Sequence, residues 1–193
     1  MTLLRLAIGL VGLLLVAAPV DARPLRYLLD AQESTVNFTV TMGQSPLKGR
    51  MPVAHADLTL DFDHPSASRA KVTLDVAHAE MGLPFALTAL QSPEVLDSAQ
   101  FPLIAFESVR VRSTGDMARI DGQITIRGVT RPVALMAEIF RPAGSKPTER
   151  DRLTIHLTGT VHRSDFGAKG YGDLVGDDIL IDISAHLQRI GRG

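Results

Sequence analysis

The six histidines are the side chains of this chain best suited to metal or acid–base chemistry, yet their spacing fits neither. They are His55, His64, His78, His156, His162 and His186. None forms a His-x-His or His-x-x-x-His pair, and the chain has no cysteine to complete a metal site. Four of them lie on the polar side of alternating segments, where a histidine is solvated. The sequence therefore predicts no metal site.

Other catalytic motifs are also missing. The chain contains no Gly-x-Ser-x-Gly elbow, which would mark a serine hydrolase. The glycine-rich stretch 167–172 lacks the residue order of a P-loop and is interpreted as a hairpin tip. The neighbouring pair Asp177 and Asp178 offers too few oxygen ligands for calcium. We therefore predict no catalytic residue, no enzymatic activity and no cofactor, and we favour binding as the class of function.

Charge excludes one class of partner. The chain carries 20 basic and 21 acidic residues, a net charge of −1. A protein that binds nucleic acid needs a basic patch to neutralise phosphates. No such excess exists, so nucleic acid is not a predicted partner.

The N-terminus has the pattern of a signal peptide. Arg5 supplies a positive charge, residues 6–18 are apolar, and small side chains surround a cleavage position after Ala22. The apolar run is short for a transmembrane helix, so an uncleaved anchor is the less favoured alternative. We predict a signal peptide over 1–22 and a single mature domain over 23–193, which implies a periplasmic location.

Most of the chain alternates apolar and polar residues with period 2, which is the pattern of a β-strand with one dry face. In residues 54–62, the even positions are apolar and the odd positions are polar. Further segments of this kind cover about 25–29, 35–42, 70–76, 103–111, 120–126, 133–139, 153–161 and 175–187. The apolar parity switches after Phe106, which predicts a bulge near Glu107 or Ser108.

One segment departs from this pattern. Between Leu83 and Val95 the apolar residues recur every three to five positions, which predicts one or two short helices over 83–97. Pro84 suits a first helical turn, and Ser92-Pro93 ends or interrupts the helix. The sequence therefore predicts an all-β fold: an eight-stranded antiparallel β-barrel with a short helical segment covering one mouth. A barrel of this size is filled by side chains or holds one small ligand.

Four segments carry a resemblance to a known family. Residues 101–108 (FPLIAFES), 122–133 (GQITIRGVTRPV), 163–167 (RSDFG) and 29–34 (LDAQES) resemble motifs of the YceI-like family in the right order. The resemblance implies an extended, lipocalin-like barrel that is exported and has a long apolar pore. It also implies a long-chain isoprenoid ligand (a polyprenyl chain or an isoprenoid quinone) or a similar amphiphilic lipid, and a protein that is not an enzyme.

The chain departs from the family pattern at three places. Glu33 replaces a histidine, which puts a headgroup contact by that histidine in doubt. The helical segment reads ALTAL at 86–90, where the family has charged and polar residues. Arg50-Met51 replaces an aromatic residue. Three interpretations of the apolar helix remain: a more hydrophobic cover for a different ligand, a surface for a partner, or a repacked helix.

The predicted ligand-binding residues combine the apolar strand parity with the helical segment, and the cavity itself is implied by the family resemblance. They are Phe38, Val40, Leu83, Phe85, Leu87, Leu90, Val95, Leu96, Phe101, Ile104, Phe106, Ile124, Ile126 and Phe166. Parity alone predicts a solid core equally well.

Three other functions remain as alternatives. An outer-membrane barrel would place the apolar parity toward lipid, but the chain has no Trp and only two Tyr for aromatic girdles. A non-enzymatic interaction module with a filled core could act in a membrane redox or stress-response system. An isoprenoid-modifying enzyme ranks last. Transient contact with a membrane or a membrane protein, and a homodimer formed through strand edges, are compatible with the sequence, although no feature requires either.

Overall fold

A computed structural model describes residues 24–115, 117–142, 144–146 and 148–191, and the predicted signal peptide lies outside them. The described residues form one antiparallel sheet, one α-helix and two short 3-10 helices at Pro65–Ala67 and Arg163–Phe166. The strands are β1 (Leu25–Leu29), β2 (Thr35–Met42), β3 (Ser45–Arg50), β4 (Val53–Leu60), β5 (Arg69–Asp75), β6 (Glu80–Met81), β7 (Leu103–Thr114), β8 (Met117–Ile126), β9 (Val129–Phe140), β10 (Arg152–His162) and β11 (Val175–Arg189). The helix is α1 (Pro84–Gln91).

The sheet closes into a barrel with eight walls, because two walls are each made of two strands. β1 and β2 follow one another along the same edge of β11, through the pairs Leu29↔Leu187 and Thr35↔Ser184. β3 and β4 follow one another in the same way, β3 beside β2 and β4 beside β1. The other walls are β5, β7, β8, β9, β10 and β11. The predicted eight-stranded antiparallel barrel is confirmed.

The alternating pattern points its apolar side into the barrel. On β11, Ile181 and Ile183 face the interior, whereas the alternate residues Leu180 and Asp182 are exposed. The same inward parity places Leu58 and Leu60 of β4 on the interior wall. This orientation is the reverse of that required by an outer-membrane barrel, whose apolar residues face lipid.

The predicted bulge lies on β7. Its pairing with β8 shifts between Ser108 and Arg110, so that Val109 points outward and Val111 returns to the interior wall. The extra residue therefore returns Val111 to the interior side that Ile104 and Phe106 occupy. Gly122 lies opposite Ser108, where a Cβ atom would approach the Glu107 carbonyl oxygen to 2.8 Å, so a larger residue would push this pair of strands apart.

The two ends of the barrel differ. We define the closed end as the β2–β3 hairpin, residues 76–102 with α1, the β8–β9 turn, and residues 163–174. The open end consists of residues 61–68, the β7–β8 turn, and the described part of 141–151. These ends follow from the strand directions, since β11 runs from the closed end to the open end.

The helix at the closed end is shorter than the segment predicted. Pro84 occupies its first turn, where the missing N–H is harmless, and Ser92 ends it by donating its hydroxyl to the Ala89 carbonyl at 2.8 Å. Residues 92–97 continue as turns. The helix covers the closed end, as predicted for one mouth. No helix among the described residues is long and apolar enough to span a membrane.

Candidate functional site

The interior of the barrel contains a cavity of about 890 Å³. Ligand sites for small molecules commonly occupy roughly 300 to 1,000 Å³, so this volume suits a substantial ligand. Inward side chains from all eight walls of the barrel line this cavity, and most of them are apolar. Along β11 alone, the lining residues run from Ile179 to Leu187, a distance of about 26 Å along the strand.

Several lining residues show directly that the interior is hollow. Ile139, Ile155 and Leu157 face the inside of a closed barrel, yet each is only half-buried. In a filled core such side chains would be fully buried, because protein interiors pack with few voids larger than a water molecule. Their remaining exposure is exposure to the cavity.

The cavity opens at the end away from α1. Four of its described lining residues are themselves exposed to solvent, namely Arg69, Ser113, Gly115 and Pro142. All four belong to the open end or to a strand terminus beside it. A long ligand can therefore enter along the barrel axis from this side.

The opposite end is sealed by apolar side chains. Leu90 of α1 and Leu96 after it lie in the cavity wall together with Phe166, which is buried. They belong to a core cluster that also includes Phe38 and Val76. A ligand that enters from the open end therefore meets a closed hydrocarbon floor.

Nine of the predicted residues are brought together in the cavity wall. They are Phe38, Leu90, Val95, Leu96, Ile104, Phe106, Ile124, Ile126 and Phe166. They come from three parts of the fold: strands, the helical segment and a 3-10 helix. Whether they contact a ligand stays a prediction.

Five predicted residues lie outside the cavity wall. They are Val40, Leu83, Phe85, Leu87 and Phe101. Val40 is buried near the β2–β3 hairpin, beyond the cavity, and Leu87 packs on the closed-end core. Leu83 and Phe85 are exposed, because only one stripe of α1 faces the barrel. The Phe101 ring lies against Gly128 in the β8–β9 turn.

The sequence prediction missed two groups of lining residues. The first consists of apolar residues on the remaining walls, including Val72, Leu157 and Ile181, which the same parity rule would have identified. The second is polar and belongs to the open end: Arg69, Arg141 and Arg150. Arg141 and Arg150 lie in the loop between β9 and β10, where no periodic pattern indicates which way a side chain points.

Among the described lining residues, ionisable groups are few. Asp61 supplies the one carboxylate, and it accepts hydrogen bonds from the main-chain N–H groups of Asp63 and His64 at 3.0 and 2.6 Å. Arg163 lies at the closed end, where it donates to the carbonyl oxygens of four residues, Gly176, Ala168, Gly170 and Val175, at 2.7 to 2.9 Å. Both groups therefore hold loops in place.

The histidines predicted to be solvated lie outside the cavity wall. His156 and His162 contact Asp182 and Asp178 across β10 and β11 at 2.9 and 2.8 Å. Glu33, which replaces the family histidine, is also exposed and lies 3.7 Å from His186. Within the described ranges, no three of the His, Asp and Glu side chains are grouped so that they could hold a metal ion.

The carboxyl groups with a shifted pKa lie on the outer surface of the barrel. Hydrogen bonds from Arg112 and Arg119 lower the pKa of the Asp121 carboxyl, and hydrogen bonds from Ser164 lower the pKa of Asp177. Neither carboxyl lines the cavity. Such shifts are those of surface ion pairs and loop contacts, and they mark no catalytic acid or base.

Comparison with known proteins identifies the family. Residues 27–187 match the model of the YceI-like domain. A UPF0312 protein of Pseudomonas aeruginosa is 32% identical over 174 residues, which is 87% of each chain. Protein YceI of Salmonella arizonae is 33% identical over 143 residues, covering 71% of this chain and 72% of that one.

Solved structures share the fold. BcnA of Burkholderia cenocepacia superposes with a TM-score of 0.72 at 18% identity, over 82% of this chain and 99% of that chain. A YCEI protein of Campylobacter jejuni gives a TM-score of 0.61 at 23% identity, over 77% and 87%. The chain belongs to the YceI-like family, whose barrel is a fold known for binding hydrophobic ligands.

Proposed function

We propose that this protein is a periplasmic binding or carrier protein for a long-chain isoprenoid, such as a polyprenyl chain or an isoprenoid quinone, or for a similar amphiphilic lipid. The observation that carries the proposal is the apolar cavity of about 890 Å³, sealed at one end and open at the other. Its hollow, elongated form suits a chain-like hydrophobic molecule better than a compact polar one.

The energetics favour recognition by burial. Each methylene transferred from water into an apolar site contributes roughly 0.8 kcal/mol. A ligand with several isoprene units can therefore be held without any specific hydrogen bond. Such a site selects for length and branching, which the inner wall of isoleucine, leucine and valine side chains can distinguish by shape.

The chemistry of the wall supports binding without catalysis. General acid–base work needs a positioned proton donor and acceptor close to the substrate. The one carboxylate among the described lining residues, Asp61, is engaged with main-chain N–H groups. YceI-like barrels are ligand-binding proteins and are not known enzymes.

The cellular setting follows from the sequence. The predicted signal peptide over 1–22 supports export to the periplasm. A long isoprenoid is poorly soluble in water, so loading and delivery would require transient contact with a membrane or a membrane protein. The barrel would then shield the chain between the two contacts.

The first test is mass spectrometry of an organic extract from the mature protein, purified without detergent. We expect about one polyprenyl, quinone or related lipid species per protein. If native extracts are empty, and the protein still takes up no lipid after incubation with polyprenols and isoprenoid quinones, the carrier function is wrong.

A matched pair of variants tests whether the lipid occupies the cavity. Ile181→Trp inserts an indole into the cavity, whereas Leu180→Trp adds the same group to the outer surface one residue away. We expect the first to lower lipid occupancy at least about fivefold and the second to leave it unchanged. Equal occupancy in both folded variants would contradict binding inside the barrel.

A further inference from the structure

Large apolar side chains are exposed on the outer surface of the barrel beside its open end. They are Leu28, Met117, Met136, Phe140 and Ile190, and each is between 41 and 59% exposed. We call these five residues the outer apolar band. Single exposed apolar residues are ordinary on a protein surface, so it is the grouping of the five that marks a site.

Strand pairing groups three members of the band on the outer face of β8 and β9. Met117, the first residue of β8, lies opposite Glu138 of β9. Met136 and Phe140 flank Glu138 on the same face and are therefore diagonal neighbours of Met117, within reach of its long side chain. The three side chains form one apolar surface at the open end of these strands.

The other two members are grouped in the same way on β1 and β11. Leu28 lies opposite Gln188, and the pairing continues to Ile190, whose N–H donates to the Arg26 carbonyl oxygen at 2.8 Å. Leu28 and Ile190 are therefore diagonal neighbours. One strand, β10, separates this group from the first, because β9 and β11 are its neighbours in the sheet.

The band is continuous with the entrance of the cavity. Phe140 follows Ile139, which lines the cavity, and stands two residues before Pro142, which is exposed at the entrance. Met117 stands two residues after Gly115, another exposed lining residue. At the ends of these strands, the wall of the barrel thus presents the cavity on its inner side and apolar side chains on its outer side.

The closed end provides a comparison, because it also exposes apolar side chains. Phe85 and Leu174 are 62 and 63% exposed there. The cavity ends at this side in a sealed floor that includes Leu96 and Phe166. A membrane on the closed end would meet no opening, whereas a membrane on the outer apolar band borders the entrance.

Charges of both signs accompany the band. Arg26, Arg152 and Glu138 are exposed on the same outer faces, and Arg119 donates to Asp121 at 2.8 Å. The loops of the open end add further basic and acidic residues. We therefore expect any attraction to a membrane to follow the apolar area that is buried, and not the charge of the lipid.

We infer that the outer apolar band docks the open end of the barrel on the surface of a lipid bilayer. The five side chains enter the boundary between headgroups and acyl chains, as apolar side chains of interfacial proteins do. The entrance of the cavity then borders the lipid from which a hydrophobic chain is taken up. This inference rests on the proposed function, since it names the surface through which the carrier exchanges its ligand.

The test uses the fact that the chain has no tryptophan. Phe140→Trp places one indole in the band, and Phe85→Trp places one on α1 as the matched control. Each protein is mixed with phosphatidylcholine vesicles that contain no other protein. We expect the emission of Phe140→Trp to shift to shorter wavelength and to be quenched by brominated lipid, because its indole enters the interface. Salt should not abolish this response, and Phe85→Trp should show none.

A second pair of variants removes apolar side chains. Met117→Ser/Phe140→Ser should lower partition onto the same vesicles at least about tenfold, because binding at the interface follows buried apolar area. It should also slow the transfer of farnesol from vesicles to the protein and leave the affinity for farnesol in solution unchanged. Phe85→Ser/Leu174→Ser removes two exposed apolar side chains from the closed end and should partition as the wild-type protein does. Farnesol binding reports that each variant is folded.

The outcomes separate docking from the carrier function. If the wild-type protein binds neither polyprenols nor isoprenoid quinones, the carrier function fails. If it binds them but Phe140→Trp shows neither the shift nor the quenching, the docking surface is overturned and the carrier function stands, with a membrane protein as the remaining partner. Docking through the band is also overturned if Phe85→Trp responds as strongly, or if Met117→Ser/Phe140→Ser keeps the partition of the wild-type protein.

Discussion

At the scale of single residues, Tyr27 connects the wall of the barrel to the rim of the open end. Its side chain is 2% exposed, and its hydroxyl donates to the carbonyl oxygen of Arg150 at 2.8 Å. Burial raises the pKa of this phenol to about 12. The hydrogen bond fixes the main chain at Arg150, whose side chain lies over Phe62 at the entrance.

Because the phenol of Tyr27 is buried, we expect the free energy of unfolding to fall in alkali. Because the folded state holds Tyr27 neutral to about pH 12 and the unfolded chain ionises near pH 10, its contribution is complete below pH 10. It is lost as the pH rises from about 10 through 12. Unfolding by urea at several pH values should show this decline, and Tyr27→Phe should flatten it while lowering stability near pH 8 by about 1 kcal/mol.

Tyr171→Phe isolates the titration for direct observation. The chain has two tyrosines and no tryptophan, so this variant leaves Tyr27 as the one phenol. Tyrosinate absorbance should then rise with a midpoint close to 12. A midpoint close to 10 in the folded variant would mean that Tyr27 is not buried as described.

At the scale of elements, the closed end depends on a contact between the β8–β9 turn and the segment after α1. Arg127 and Gly128 both have positive φ, as a two-residue hairpin requires. The Arg127 guanidinium group donates to the carbonyl oxygens of Pro93 and Val95 at 2.7 and 2.6 Å. One turn therefore holds the segment that presents Val95 and Leu96 to the cavity.

Arg127→Asn removes this contact and keeps the turn, because Asn-Gly is a preferred pair for such hairpins. We expect a loss of about 1 to 3 kcal/mol in the free energy of unfolding. Hydrogen exchange should quicken first at the amides of Leu96 and Asp97, which bond to Leu90 and Ser92. Arg131→Asn, on the exposed start of β9, should change neither. Unaltered exchange in Arg127→Asn would show that the segment is held by packing alone.

Some features of the strands and the helix could be predicted from the sequence, and others could not. The alternating pattern predicts the strands and even the bulge on β7, because period 2 and its interruption are local properties of the chain. The pattern cannot predict that Phe85 points away from the barrel, since α1 is apolar on more than one side. Nor can it distinguish Ile181 beside a cavity from Ile181 in a solid core. That difference depends on how closely the barrel wall is filled, which involves residues distant in sequence.

The arginines at the rim were missed for a related reason. Arg141 and Arg150 follow and precede strands, in a loop that periodicity describes only as polar. Their approach to the cavity results from barrel closure, which brings this loop beside residues 61–69. The net charge of −1 for the whole chain carries no information about where single charges lie in the fold.

At the scale of the whole molecule, closure of the sheet creates the cavity and gives it one open end and one closed end. Eight walls surround a space too wide to be filled by their own side chains, and the helix seals one end of it. The core is consequently divided into a cluster at the closed end and a smaller one around Tyr27, Leu153 and Leu187. A bound hydrocarbon chain would join these clusters and stabilise the folded state by mass action.

A cavity with a closed floor predicts a limit to the useful length of the ligand. At about 0.3 kcal/mol per non-hydrogen atom, each five-carbon isoprene unit adds about 1.5 kcal/mol, or about tenfold in affinity. Affinity for geraniol, farnesol, geranylgeraniol and longer prenols should therefore rise in steps and then level off once the chain reaches the rim. Ile181→Trp shortens the free path and should move the plateau to a shorter prenol, whereas Leu180→Trp should not. Isothermal titration of the lipid-free protein measures both series, and an affinity that rises without a plateau, or a plateau common to all three proteins, would mean that the chain is bound elsewhere than in the barrel.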